Sequence, residues 1–502
     1  MLLYSVIPWV IGLIAFLARV IPGPRTIDDA FITFRYAQNL LAGNGIVYNV
    51  GEAVLGTTTP LYMLVMAGFG LFTGGSQAPF PTLSMLVNAF ADGLTCWLIF
   101  KFAERLGYRR AGLAAALVWA IAPWSVTFAI GGMETSLLVL LGMATFYLYS
   151  IDKPVAAGLC GSLSLLTRPD ALIFLLPLGI ERLRRAFGPK KINPQPLPIN
   201  YKELLVFGIP TLAWILYSTV IYGSPIPHSI LAKVAAYRLP LEAALIRLVQ
   251  HFATPFLGQL TFGNWWIGFG LMFFPVLYGL GALKIIREKV SIWPALIYPW
   301  FYLAVYAIAN PLIFRWYLTP PLPLYFIGIF LGGERLATDL KSKFPAIFLA
   351  TSAFALTLNG WTLLPDHGPD HPAPKMAYIK LELLYEQAAQ EIREQIEPGQ
   401  VLAAADIGAL GYYTRATILD TLGLISPQVD GYYPLPESAY AINYAIPSNL
   451  INDFQPDFLV ILEAYGRKTL LEDHNFSESY DLRKKISTDM YGSDGMLIFR
   501  RR

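Results

Sequence analysis

The sequence predicts an α-helical polytopic membrane protein, with about 11 transmembrane helices plus a juxtamembrane or re-entrant element, closed by a small α/β extracytoplasmic C-terminal domain. Three observations lead there. The chain is 55% hydrophobic and only 14% charged, whereas soluble domains carry about 25% charged residues. The charge is also unevenly divided: residues 1–361 hold 25 Lys and Arg against 14 Asp and Glu, and residues 362–502 hold 12 against 20. Finally, Lys and Arg cluster in short loops between long apolar runs, as cytoplasmic loops do. The domains expected are therefore 1–361, the transmembrane module, and 362–502, the soluble part. The composition excludes disorder. No basic stripe interleaves with aromatics, so no nucleic-acid partner is expected. Cys96 and Cys160 lie in apolar runs and read as small core hydrophobes.

The first apolar run, 2–21, has neither a basic leader nor a cleavage site and reads as an uncleaved anchor. Further runs lie near 80–100, 111–130, 134–150, 154–180, 204–222, 264–283, 291–309, 316–332 and 344–361. The basic loops around 101–110, 182–202, 284–289 and 335–343 mark the inner side. The run 154–180 begins and ends inside, so Thr167-Arg168-Pro169-Asp170 should split it into two short helices near the outer face. The stretch 60–72 is too short to span and reads as the juxtamembrane element. Five polar loops then face outward: 23–59, 131–135, 167–170, 223–263 and 310–317. Beyond a Pro-rich linker at 365–374, an amphipathic helix is expected at 376–396. Strands are expected at 401–405, 418–419, 458–462 and 496–499.

The chemistry-bearing residues sit in the outer loops. From Asp29 onward, Phe31, Phe34, Ala37 and Leu41 recur at helical spacing, which predicts an amphipathic helix lying at the membrane interface. Asp28 and Asp29 open it. They could be capping acids on the helix dipole. Two adjacent carboxylates beside a bilayer also suit a general base or a divalent-cation site. The Gly-, Asn- and Thr-rich stretch that follows, including Thr58, reads as a polar surface for hydroxyl-rich ligands. Arg168, Lys233 and Arg315, with His228 in the same loop as Lys233, place cations in outer loops where a phosphate would be met. Glu134 and Asp170 are further ionisable candidates for substrate contact; Arg168 and Asp170 could equally pair with each other.

The segments Asp28-Asp29-Ala30-Phe31, Arg35-Tyr36-Ala37, Gly43-x-Gly45-x-Val47-Tyr48-Asn49 and Gly51-Glu52 resemble the opening loop of the bacterial GT-C membrane glycosyltransferases. The arabinofuranosyltransferase and mannosyltransferase-like branch is the most similar. Gly132-Met133-Glu134-Thr135, Thr167-Arg168-Pro169-Asp170, Tyr222-Gly223 before Ala232-Lys233, Arg315-Trp316-Tyr317, Asp406-Ile407-Gly408 and Asp420-x-x-Gly423-Leu424 follow in the same order. The resemblance implies a GT-C fold and a polyprenyl-phosphate-linked sugar as donor. It implies transfer with inversion on the outer face to a glycan, lipid or protein acceptor. An aspartate of the first loop would be the base, Asp28 first and Asp29 second, and Arg35 and Tyr36 would lie at the substrate. Pro227-His228-Ser229 departs from that branch, which usually has Pro-Asn-Thr there.

Such a reaction needs one carboxylate, cations for the leaving phosphate and a groove at the membrane. No CxxC pair, HExxH or Walker loop is present to suggest other chemistry, and a divalent cation would be the sole cofactor to consider. The competing classes are a secondary transporter, disfavoured by the absence of an internal repeat, and a non-catalytic envelope-assembly protein. The loop charges make a direct prediction. Cysteines introduced between residues 362 and 502 should react with an impermeant reagent added to intact cells; labelling only after lysis reverses the orientation.

Overall fold

The computed structural model describes residues 2–188, 197–360 and 377–502; the Pro-rich linker expected at 365–374 lies outside them. Most of the described chain is helical. Among the described residues, three helices are long and apolar enough to cross a bilayer: Phe80–Leu106, Tyr201–Tyr222 and Trp265–Glu288. A fourth candidate is the pair Arg109–Ile121 and Pro123–Ile130, bent by 45°. Seven further apolar helices are shorter, at 10–17 residues. Proline explains the best-defined breaks. Ala122 is pushed out of the helical region by Pro123, and Arg168 is extended, with φ −156° and ψ 136°, ahead of Pro169. The 154–180 run is split as its sequence implies, into helices Pro154–Thr167 and Leu172–Phe187 around a 3₁₀ turn.

The described residues gather into two compact units. One comprises those of Met1–Pro24, Ser84–Trp214 and Leu241–Asp366; the other comprises those of Arg25–Leu83, Ile215–Pro240 and His367–Arg502. The first unit is a helical assembly. Its helices Trp265–Glu288 and Leu322–Asp339 pack so closely that a Cβ on Gly332 would lie 1.9 Å from the Leu277 carbonyl oxygen. Small residues permit such approach, and in hydrocarbon close packing is what holds helices together. Arg19 and Asp92 are both fully buried here, joined at 2.6 Å. Arg19 also donates to the carbonyls of Ala15 and Ala120 and to Ser125 Oγ. Ser136 donates to the same Asp92 oxygen. The helix Tyr201–Tyr222 has the opposite character. Of its residues only Ser218 is buried, so its apolar surface suits a hydrocarbon environment.

The second unit is built on a five-stranded sheet of order β2-β1-β3-β5-β4. Its strands are β1 Val401–Ala404, β2 Thr417–Asp420, β3 Phe458–Leu462, β4 Tyr480–Ile486 and β5 Met496–Arg501. β1 lies parallel to β2 and β3, and β5 runs antiparallel to β3 and β4. The apolar run Phe458–Leu462 is buried throughout, as a central strand must be. β4 is missing from the sequence expectation because Tyr-Asp-Leu-Arg-Lys-Lys-Ile is mostly polar. It is an edge strand with a register shift between Leu482 and Lys484, and edge strands carry charge to discourage further pairing.

One expectation is corrected here. The helix Asp28–Leu41 is not a half-wetted interfacial helix: ten of its residues are buried, Arg35 and Gln38 among them. Asp28, Thr33, Arg35, Tyr36 and Asn39 find hydrogen-bond partners inside the unit, so amphipathic spacing misreports its exposure.

The Arg19–Asp92 pair supplies a stability test. Removing one partner of a buried pair leaves an uncompensated charge at a cost of about 3–5 kcal/mol, whereas replacing both with apolar side chains is often neutral. Arg19→Met should therefore lower the thermal midpoint of the detergent-solubilised protein sharply, and Arg19→Met with Asp92→Leu should recover most of it.

Candidate active site

In the sheet-containing unit, the polar interior starts at Asp28. Its Oδ2 accepts the N–H of Gly408 at 2.9 Å and its Oδ1 that of Ala409 at 2.8 Å. Both are the first residues of the helix Gly408–Thr414, whose N–H groups have no partner within the helix. Residue 408 must be glycine for this approach, since a Cβ there would lie 1.8 Å from the Asp28 carbonyl oxygen. The Asp28 N–H in turn donates to Glu382 Oε1 at 2.9 Å. Burial, and then the charges of Asp406 and Asp29, push the Asp28 carboxyl up to about 8 against the pull of the two N–H bonds. Burial also raises Glu382, and Asp28 adds to that.

The other motif residues of the first loop grip the same segment. Arg35 donates to the carbonyls of Tyr48, Gly411 and Ala416, with its guanidinium 4.7 Å from the centre of the Tyr48 ring. Tyr48 donates to the Ile407 carbonyl at 2.6 Å. The Asn49 side chain both donates to and accepts from the backbone of Ile418, completing hydrogen bonds on the edge strand β2. Tyr36 donates to the Val54 carbonyl and accepts the Gly56 N–H. Arg35 and Tyr36, expected at the substrate, are buried, and backbone groups of the same unit meet their polar atoms. Thr58 is half-buried beside the hydroxyl cluster of Thr33, Thr57 and Thr59.

Asp29 differs from its neighbour. Its side chain is 29% exposed, and Oδ2 lies 3.5 Å from Lys233 Nζ. Asp406 is half-buried and accepts the hydroxyls of Tyr385 and Tyr465. Burial raises its pKa; the two hydroxyls and the Lys233 charge counter this, and Asp29 reinforces it. His228 Nε2 lies 3.2 Å from Asp430 Oδ1, which ties the helix His228–Ala236 that carries Lys233. Asp420 is a turn organiser: buried and pushed up to about 7 by that burial, it accepts the N–H groups of Leu422 and Ile425.

The helical unit holds a second cluster. Arg168 donates through Nη1 to Glu134 at 2.8 Å and through Nε and Nη2 to both oxygens of Asp170, at 2.9 and 3.0 Å. Tyr306 donates to Asp170 at 2.8 Å, and the Tyr317 ring stacks 4.6 Å from the guanidinium. Two carboxylates already pair with this cation, which the sequence placed at a donor phosphate. Arg315 is half-buried in the 3₁₀ turn Arg315–Leu318.

Among the described residues, no group of three or more His, Cys, Asp and Glu could hold a metal ion. The Asp28–Asp29 pair does not fit one, since both Asp28 oxygens are occupied by backbone N–H groups. Sequence reasoning missed Glu382, Tyr385 and Tyr465. The usable signal was an acid, Glu382, next to the apolar stripe of the helix Ala377–Arg393.

A family model described as a domain of unknown function, DUF8728, matches residues 376–499. A terminal β-(1→2)-arabinofuranosyltransferase of Mycobacterium tuberculosis is 26% identical over 226 residues, which are 42% of this chain and 35% of that relative. The match thus spans about a third of the relative's length. ArnT of Cupriavidus metallidurans, in a crystal structure with undecaprenyl phosphate, superposes with a TM-score of 0.59 at 12% identity, covering 99% of this chain and 97% of that one. The oligosaccharyltransferase of Archaeoglobus fulgidus gives 0.52 at 12% identity, over 91% and 69%. The fold is that of the membrane GT-C glycosyltransferases, as the loop motifs imply.

The raised Asp28 carboxyl has a measurable consequence. An aspartate of the unfolded chain titrates near 4, so between about 4 and about 8 the folded protein retains a proton that the unfolded chain has released. Stability from this group is complete below about 4 and is lost as pH rises through about 8. In Asp28→Asn that slope should flatten. The midpoint should also fall at pH 5, because an amide offers one acceptor to two N–H donors. Thermal unfolding across this pH range reads both effects.

Proposed function

We propose that the chain is an inverting glycosyltransferase. It moves a sugar from a polyprenyl-phosphate donor to a hydroxyl of a cell-envelope glycan, lipid or protein on the outer face of the membrane, with residues 362–502 on that side. The observation that carries this reading is the half-buried pair of Asp29 and Lys233, 3.5 Å apart, set against a fully engaged Asp28. Support for the donor comes from the relatives: ArnT is seen with undecaprenyl phosphate, and the A. fulgidus oligosaccharyltransferase AglB with dolichol-phosphate and an inhibitory peptide.

Asp29 is the base in this reading, a reversal of the order that the resemblance implies. The acceptor hydroxyl gives its proton to an Asp29 oxygen while its own oxygen bonds to the anomeric carbon. The bond from that carbon to the phosphate oxygen breaks, and polyprenyl phosphate leaves with the electron pair and the charge. Attack opposite the leaving group inverts the centre. Lys233 is the cation for the departing phosphate, since a positive group near a developing charge lowers the barrier. Both Asp28 oxygens accept backbone N–H groups, so in this reading Asp28 positions Asp29.

Asp29→Asn should cut turnover of a polyprenyl-phosphate sugar by roughly 100-fold or more, the scale of general-base loss, with the thermal midpoint unchanged. Asp28→Asn should lower turnover and stability together. Full activity of Asp29→Asn in vesicles with a competent donor removes Asp29 from the chemistry; loss confined to Asp28→Asn at unchanged stability restores Asp28 as the base.

A further inference from the structure

The helical unit contains a cavity of about 780 Å³ bounded by the helices Arg109–Ile121, Leu322–Asp339 and Phe344–Asn359. Its lining combines four cations, Arg109, Arg110, Lys341 and Lys343, with apolar groups such as Phe330 and Ile347. Among the lining residues Glu334 is the one acid, set against those four cations. Glu104 pairs with Arg109 at 2.8 Å, and Glu334 accepts the Ala111 N–H at 2.9 Å. Among the described residues, Arg110, Lys341 and Lys343 form no ion pair, and all three are exposed. The groove therefore carries an excess of positive charge.

Its surroundings narrow the ligand. Ile347 is 58% exposed, and on the same helix Phe344 and Phe348, stacked at 5.6 Å, are 70% and 59% exposed. Apolar side chains so exposed beside a cationic pocket suit hydrocarbon chains rather than water. Basic pockets between membrane helices are places where anionic headgroups bind.

We propose that this groove binds an anionic phospholipid, with its headgroup phosphate on Arg110, Lys341 and Lys343 and an acyl chain along Ile347. The site is separate from the transferase reading and does not depend on it. Charge complementarity selects the headgroup, and the apolar wall selects a lipid over free phosphate.

The test uses the full chain in neutral detergent, with phosphatidylglycerol and phosphatidylcholine of matched chains compared by native mass spectrometry. Phosphatidylglycerol should bind at least about tenfold better, since each cation near an anionic headgroup contributes severalfold. The Arg110→Gln/Lys341→Gln/Lys343→Gln variant should abolish the preference. Lys153→Gln/Lys202→Gln/Arg287→Gln, which removes as many exposed cations elsewhere, should keep it. Ile347→Gln, from an exposed position, should weaken binding while adding no charge, and it serves as the readout if the triple variant does not fold. Four results overturn the proposal: no preference in the parent, equal loss in the control variant, displacement of the lipid by excess inorganic phosphate alone, or an acidic protein that leaves with the triple variant while phosphatidylglycerol shows no preference.

Discussion

The carboxyl of Asp28 is the contact on which the sheet-containing unit depends. It meets the first two N–H groups of the helix Gly408–Thr414, and Glu382 meets its own N–H. A buried donor without a partner costs about 1–3 kcal/mol, so this one side chain removes two such costs. Arg35, Tyr48 and Asn49 then fasten the same loop to residues 407–418. The loop and the sheet domain cannot be treated as separate pieces: each satisfies polar groups that the other leaves open. Asp29, adjacent in the chain, inherits a fixed position from its neighbour and keeps its own side chain for Lys233.

The helical unit follows the same rule with different partners. Arg19 and Asp92 share one buried cluster, and Glu134, Arg168 and Asp170 share another. Charged groups among apolar helices are costly unless paired and hydrogen-bonded. Every guanidinium nitrogen of Arg168 has a carboxylate, and Tyr306 binds the Asp170 oxygen again. Networks satisfied to this degree are rigid. They hold the break at Pro169, where the helix gives up its own hydrogen bonds, in one conformation.

Glycine and proline place these contacts. Pro123 and Pro169 set where helices bend or stop. Gly408 and Gly332 set where backbones touch, one against the carbonyl of Asp28 and the other against that of Leu277. Neither glycine has a positive φ. What each supplies is the missing Cβ, a property of the neighbour across the contact that no local pattern reveals.

By itself the sequence determined the membrane character of the chain, the split at Thr167-Arg168-Pro169-Asp170, the helix after Asp28 and four of the five strands. Each of these follows from composition, periodicity or a proline, all of which act within a few residues. The GT-C resemblance was also legible, because its short motifs keep their order. Only the tertiary structure decided which groups the motif residues meet. The sequence resemblance ranks Asp28 before Asp29, but a hydrogen-bond donor 380 positions away claims the first and leaves the second beside a lysine on another helix. Arg35 reads as a substrate contact until three carbonyls, two of them from residues 411 and 416, surround it. Arg168 reads as a lone cation until the fold brings Glu134 and Asp170 to it. The physical reason is the same throughout: a charged side chain takes its role from the groups the fold brings within about 3 Å of it, and those groups come from distant parts of the chain.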